Sequence, residues 1–522
     1  MKRRAFLQGA GAAAAAGAAG ATPGRSALEE ASATALAAAL VEGRTTSVDL
    51  VAGYLDRIEA IDRSGPTLRS VIEINPEAVQ IAEQLDRERR EGRVRGPLHG
   101  LPVLVKDNIA SGDKMETSAG SPALVGAGAP RDAFVVKRLR DAGAVLLGKT
   151  NLSEWANIRG KHSISGWSTR GGQTRNPYAL DRSPSGSSSG SAAAMAASLA
   201  ALAVGTETDG SITSPASCNG LVGVKPTVGL LSRDGIVPIS FTQDTAGPMC
   251  RTVADAALLL AAMAGVDARD PATRAQAGRI DLDSLTTLRA DALRGARLGI
   301  AENLVGDHIA TAKRFDDTLA LLRDAGAVLV KAPLPPIETL WEPEFEVLLV
   351  EMQHAMPRYL AEFAPKSPHR SLADLVAYHR AHPLTLALFG QEYFELAAGK
   401  RGLRDPAYRK ALATARRIAR TEGIDAALRK HRLDALGTPT CGPAWLIDPV
   451  HGDASVASAT SFAAVAGYPH VTVPMGQVAG LPVGLSFFAG PWSEPKLLNL
   501  AHAFEQIAQA RRAPAYRAGA TA

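Results

Sequence analysis

Three residues far apart in the chain could together make a nucleophile without a histidine. The serine-rich run Ser183-Pro-Ser-Gly-Ser-Ser-Ser-Gly-Ser191 places Ser187 24 residues before Ser211, which lies in Gly205-Thr-Glu-Thr-Asp-Gly-Ser-Ile212. Upstream of both, Lys106 closes the apolar run Pro102-Val-Leu-Val105. A neutral amine can serve as base, one hydroxyl as proton relay and the other as attacking atom, which is the chemistry of acyl transfer. Lysine works as a base only when burial or nearby positive charge lowers its pKa, so Lys106 must be placed in the interior. Each feature alone has a blander reading: a solvated charge after a strand, and a flexible Ser/Gly linker. Linkers do not stand between apolar segments and feed directly into an alanine-rich helix. The company of the two serine loops favours the catalytic reading of the lysine.

The elements that must hold these residues alternate between helix and strand. Residues 30–60 read as two amphipathic helices around Glu42-Gly43-Arg44, with a helix start at Thr46/Ser47, and residues 76–91 as a charged helix. Leu101–Val105 and Gly143–Leu147 have the look of buried strands, with a helix over Ala133–Asp141 between them. Ser191–Leu202 is alanine-rich and predicts a helix, and Leu202–Val204 feeds a further strand. Such alternation predicts an α/β fold, a three-layer α/β/α arrangement around a large mixed sheet, with ligands gathering at strand carboxyl ends. Lys106 follows one such end and Thr206–Ser211 another. From about residue 333 to 430 helical, charged stretches dominate, including Glu344–Phe363 and Pro406–Lys430. This section is either a packing layer or part of the substrate cleft, inside a core spanning 28–510. Strand-like runs return at Leu433–Gly437, His470–Val473 and Pro482–Leu485, before a final helix over Glu494–Arg511.

Two motifs mislead. Gly143-Ala-Val-Leu-Leu-Gly-Lys-Thr150 matches the phosphate-loop pattern, but its middle residues read as a strand and not as a loop around phosphate. Gly186-Ser-Ser-Ser-Gly190 matches a nucleophile elbow centred on Ser188, which would make a serine–histidine esterase with His431, His451 or His470. The polar residues Asp181–Ser185 before it are not the apolar strand an elbow needs. Neither a His-Glu-x-x-His motif nor a Cys/His cluster is present, so no metal or other cofactor is implied.

At 522 residues, with 46% hydrophobic and 21% charged residues, the chain has the composition of a globular protein with a large core. Lys2, Arg3 and Arg4 precede a mildly apolar Ala/Gly run ending at Ala19-Gly20-Ala21, the pattern of a twin-arginine export signal over residues 1–21. Its removal takes away three positive charges and turns +5 into +2, which gives no electrostatic reason to bind nucleic acid. Seventeen alanine- and glycine-rich residues barely span a bilayer of about 30 Å, so no membrane span is expected after processing. A periplasmic or secreted protein is the expectation. Cys218, Cys250 and Cys441 are odd in number and widely spaced, so they read as small buried residues with no disulfide framework.

Taken together, Pro102–Asn108, Gly148–Glu154, Ser183–Ser191, Gly205–Thr227, Gln243–Pro248 and Ala466–Pro474 resemble the amidase signature family of serine hydrolases. The resemblance covers the mature chain except for the weakly matching 333–430. Gly166-Trp-Ser168, Gly171–Pro177 and Thr206–Thr213 are most similar to exported bacterial peptide amidases, which remove C-terminal amides and release ammonia. The resemblance implies Ser211 as nucleophile, Ser187 as relay after a cis peptide bond, and Lys106 as base. It also implies backbone amides of 208–211 (Thr208, Asp209 and Gly210 before the nucleophile) as oxyanion donors. The substrate expected is a peptide amide, with aryl, acyl or other small amides as the alternative. A glutamine-amidase component of a tRNA-dependent complex and a non-catalytic binding protein are more distant readings. The chain departs from much of the family at Glu207, Asp209 and Thr213, where Asp, Gly and Arg are usual. Asp tolerates a positive φ at 209 if the loop demands one there. Glu154 and Asp244 are expected to hold hydrogen-bond networks.

Overall fold

The computed structural model describes residues 28–454 and 456–521, so the export segment expected at 1–21 lies outside the described residues. In chain order the strands are β1 (Val71–Ile74), β2 (Pro102–Lys106), β3 (Val145–Thr150), β4 (Trp167–Ser168), β5 (Gly172–Gln173) and β6 (Leu202–Glu207). They continue with β7 (Val222–Lys225), β8 (Thr245–Cys250), β9 (Arg297–Ile300), β10 (Val328–Lys331), β11 (Ala435–Pro439), β12 (His470–Val478) and β13 (Leu481–Phe488). Eleven of them form one sheet in the order β1-β3-β2-β6-β8-β7-β12-β13-β11-β9-β10, while β4 and β5 make a small hairpin. The sheet is mixed: β2 lies parallel to β3 and β6, whereas β8, β7, β12 and β13 join antiparallel. Helices flank it, giving the α/β architecture expected.

Parallel pairing decides where the chemistry can sit. Val103 pairs with Leu202 and Val105 with Val204, so β2 and β6 deliver Lys106 and Thr208–Ser211 to the same edge of the sheet. The helix Ser189–Ala196 returns from β3 towards the start of β6, which brings its N-terminus and the serines before it to that edge. All eight of its residues are buried. Only small side chains fit this close to the sheet: a Cβ on Gly190 would come within 2.3 Å of Ser70 O and 2.5 Å of Asn151 O. Ser191 Oγ donates to Val204 O at 3.0 Å and lies 2.7 Å from Thr150 Oγ1, pinning the helix to two strands.

The alanine-rich helix is shorter than the sequence suggests. It stops at Ala196, and Ser198 takes a left-handed φ of 55°. Two arginines draw off the carbonyls beyond: Arg57 donates to Ala197 O and Ser198 O, and Arg251 to Met195 O and Ala200 O. The phosphate-loop decoy is strand β3, with Lys149 buried and donating to Ile109 O and Thr117 Oγ1. Thr46 caps the helix Ser47–Arg57 through a capping box with Asp49.

In the helical section, the long helix runs Glu338–Phe363 and starts six residues before Glu344. Pro343 disfavours helix in the residue before it, but Leu340 packs in a second core cluster and packing overrides that local preference. Pro406–Lys430 is likewise not one helix: Pro406–Arg416 and Asp425–His431 are separated by a wider turn with a kink at Gly423. The last helix ends at Ala508, because Gln509 turns left-handed and Arg511 folds back to Gly220 O and Glu30. Cys218 and Cys441 come together, with sulfurs 3.8 Å apart in the interior, a pairing their spacing conceals.

Candidate active site

Lys106 is fully buried, and its amine is surrounded by hydroxyls and a carbonyl. Nζ lies 2.7 Å from Ser187 Oγ, 3.0 Å from Ser188 Oγ, 2.9 Å from Thr206 Oγ1 and 3.3 Å from Thr206 O. Burial pushes its pKa well below the ordinary lysine value, against the opposing fields of Glu207 and Asp244. The peptide bond between Gly186 and Ser187 is cis.

The serine loops meet through their backbones: the Ser188 amide donates to Ser211 O at 3.1 Å. Ser187 is fully enclosed, whereas Ser211 keeps 8% of its surface and is the more accessible of the two. The positive φ of the 208–211 turn falls on Gly210, at 73°, and not on Asp209. Ser214 N donates to Gly210 O at 2.8 Å, and because the intervening peptide is planar and trans, Ser211 N–H points the opposite way.

Glu207 turns back on this loop. One of its carboxylate oxygens accepts from Ile212 N, Thr213 N and Thr213 Oγ1 at 2.8–3.1 Å. Burial raises its pKa, and Lys225 opposes that rise. Lys225 is itself pushed down to about 8 by burial. Thr213 therefore works as a hydroxyl partner of Glu207, and the positive charge near that carboxylate is Lys225, the last residue of β7. Asp209 receives the hydroxyls of Thr460 and Ser461, each at 2.6 Å. Thr208 Oγ1 donates to Asp244 at 2.6 Å, and the other Asp244 oxygen accepts from Ile239 N and Ser240 N. Burial pushes Asp244 up to about 6. Glu154 is held by a buried ion pair with Arg159 and by Thr169 N. Both acids hold networks, and their bonds go to partners other than the lysine and the serines.

Ser188 is no elbow nucleophile. Its hydroxyl donates to Thr206 O at 2.9 Å and accepts from Thr206 N, so its proton is committed to backbone. His470 is buried beside Ser486, and His451 sits at the surface against Asp448. Sequence reasoning missed Ser188, Thr206 and Asn108 as neighbours of the amine; Asn108 Nδ2 donates to Thr206 Oγ1 at 2.9 Å. Asn108 and Thr206 do lie in the motif segments that carry the resemblance, which was the available signal. The sequence also conceals Trp155–Asn157, three consecutive residues in the left-handed region. Trp155 donates from its indole to His379, which burial pushes down to about 3 and so keeps as a neutral acceptor.

A cavity of about 700 Å³ opens between the 233–244 segment and the long helix, with Phe241, Asp244, His354, Tyr359 and Phe363 among its walls. Lys106, Ser187 and Ser211 do not line it; Asp244 is the contact between cavity and site.

A buried lysine amine bonded to a serine loop at the carboxyl edge of a mixed sheet fits a serine hydrolase class, and residues 49–498 match the family model described as Amidase. The chain belongs to the amidase signature family and is a serine amidase, a hydrolase of amide C–N bonds. It is similar to the native peptide amidase from Stenotrophomonas maltophilia, with 54% identity, a TM-score of 0.89, and coverage of 93% of this chain and 99% of that one. An amidase family protein from Bacillus anthracis is 35% identical, with a TM-score of 0.84 over 94% of this chain and 93% of its own. A sequence described as a probable amidase in Arabidopsis thaliana is 42% identical, over 94% of this chain and 92% of its own length.

Proposed function

We propose that the protein removes the C-terminal amide of peptides, with Ser211 as nucleophile, Ser187 as proton relay and Lys106 as base. The observation that carries the reaction is the fully buried amine 2.7 Å from Ser187 Oγ, in surroundings that favour its neutral form. A neutral amine has two hydrogens and one lone pair. Ser188 Oγ and Thr206 can accept the hydrogens, since the Ser188 proton is already given to Thr206 O. The lone pair is left for Ser187 O–H.

Ser211 attacks the amide carbonyl while its proton passes through Ser187 towards Lys106. The oxyanion so formed faces the amides of Thr208, Asp209, Gly210 and Ser211. The proton returns along the same path to the departing nitrogen, which leaves as ammonia. Water then cleaves the acyl-serine by the same relay. Support for a peptide substrate comes from the 54% identity with a peptide amidase and from the segments at 166–177 and 206–213.

Ammonia release from peptide amides, compared with simple aryl and aliphatic amides, tests the substrate. A higher kcat/KM on the small amides would overturn the peptide reading while leaving the hydrolase intact. The export reading of residues 1–21 has a separate test. Replacing Arg3 and Arg4 by Lys should leave the protein in the cytoplasm, and unchanged export would sink that reading.

A further inference from the structure

Glu344 lies on the long helix, far in sequence from every catalytic segment, yet its buried carboxyl reaches the loop that carries the nucleophile. The connection is Gln243. Its Nε2 donates to Glu344 Oε1 at 2.8 Å and to Thr208 O at 3.2 Å, one hydrogen for each acceptor. Thr208 C=O and Asp209 N–H belong to one planar trans peptide and point in opposite directions, so holding the carbonyl aims the N–H. We propose that Glu344 is a positioning residue: through Gln243 it locks the Thr208–Asp209 peptide plane so that Asp209 N–H faces the oxyanion. This rests on the proposed role of the 208–211 amides.

The surroundings explain why a carboxylic acid suits the position. Burial first, and the neighbouring Asp209 second, push the Glu344 carboxyl well up. Asp209 is already fixed as an acceptor by Thr460 and Ser461, with Lys225 as the cation facing it and Glu207 as a further anion nearby. A carboxyl that burial and Asp209 push towards its neutral form can turn its proton to Asp209 while its other oxygen accepts from Gln243. The hydrogen-bond chain has one direction, and Gln243 is left with a hydrogen for Thr208. A glutamine at 344 can reproduce both bonds, whereas a leucine can make neither.

The test is steady-state kinetics on a peptide amide for the wild type, Glu344→Gln, Glu344→Leu and Gln243→Leu, with Ser211→Ala alongside. Losing one oxyanion donor outright costs about 100- to 1,000-fold in rate, and misaligning one costs less. Glu344→Leu and Gln243→Leu should thus lower kcat by about 10- to 100-fold with KM within about twofold. Glu344→Gln should keep kcat within about threefold of wild type. Gln243→Leu carries the test if Glu344→Leu does not fold. An unchanged kcat in the leucine variants, or equal losses in Glu344→Gln and Glu344→Leu, would overturn the proposal. Activity retained by Ser211→Ala would instead overturn the assignment of the nucleophile, a separate failure.

Discussion

The segments around β2, β3 and β6 and the helical section behind them serve one site in opposite ways. The first supplies side chains that meet directly: the Lys106 amine lies within 3.3 Å of polar atoms of Ser187, Ser188 and Thr206 at a common sheet edge. The second supplies none of these but holds the loops that do. Glu351, seven residues after Glu344 and so near the same helix face, accepts from Ser240 Oγ, from Thr242 N and Oγ1, and from Tyr408 Oη. That anchors the 239–244 segment, whose last residue holds the Thr208 hydroxyl. Direct chemistry is written in loops with unusual composition, and support is written in ordinary helix residues whose partners only the fold reveals.

The sharpest way to break this contrast is at the amine. Lys106→Ala should lower kcat/KM by about 10⁴-fold or more, because the residues of such a chain act as a unit. Thermal stability should stay close to wild type, since an expensively desolvated group is removed. A loss below tenfold would mean the base lies elsewhere. Next in size is Glu351→Leu, which leaves several buried donors without an acceptor. It should cost about 3 kcal/mol or more in urea unfolding. Glu351→Gln should lose less.

Asp244 gives a pH-dependent version of the same test. Its folded pKa of about 6 lies above the ordinary 3.8, so the folded protein holds a proton that the unfolded chain releases. That contribution is complete below about pH 4 and is lost as pH rises through about 6, by up to roughly 3 kcal/mol. Asp244→Asn should flatten the stability profile over this window, and an unchanged slope would contradict the assignment. The smallest effect belongs to the outer face of the helical section. Arg380 pairs with Glu395 at the surface, and Arg380→Ala should change stability by less than about 0.5 kcal/mol. A change comparable to that of Glu351→Leu would erase the inside–outside distinction.

What could be read from the sequence follows the same division. Lys106, Ser187 and Ser211 stand in segments where glycine, serine and a lone charge interrupt apolar runs, and strands β2, β3 and β6 each open on a continuous apolar run. Strand β8 could not be read that way, because Gly247 and Pro248 interrupt it although Pro248 pairs with Val204 inside the sheet. The two-way role of Ser188 was hidden because a hydroxyl bonded to backbone looks like any other serine in the run. Glu344 and Glu351 were hidden because a glutamate on a long helix reads as solvated until its neighbours are known. The early end of the alanine-rich helix was set by Arg57 and Arg251, from distant parts of the chain.

The central claim is that a proton passes between Ser211 and Lys106 through Ser187. Mass-spectrometric location of a fluorophosphonate adduct, with its rate of formation in wild type and Lys106→Ala, tests it most directly. The account predicts a single adduct on Ser211, formed at least about 100-fold more slowly without the lysine. An adduct on Ser188, or an equal rate in both proteins, would contradict it.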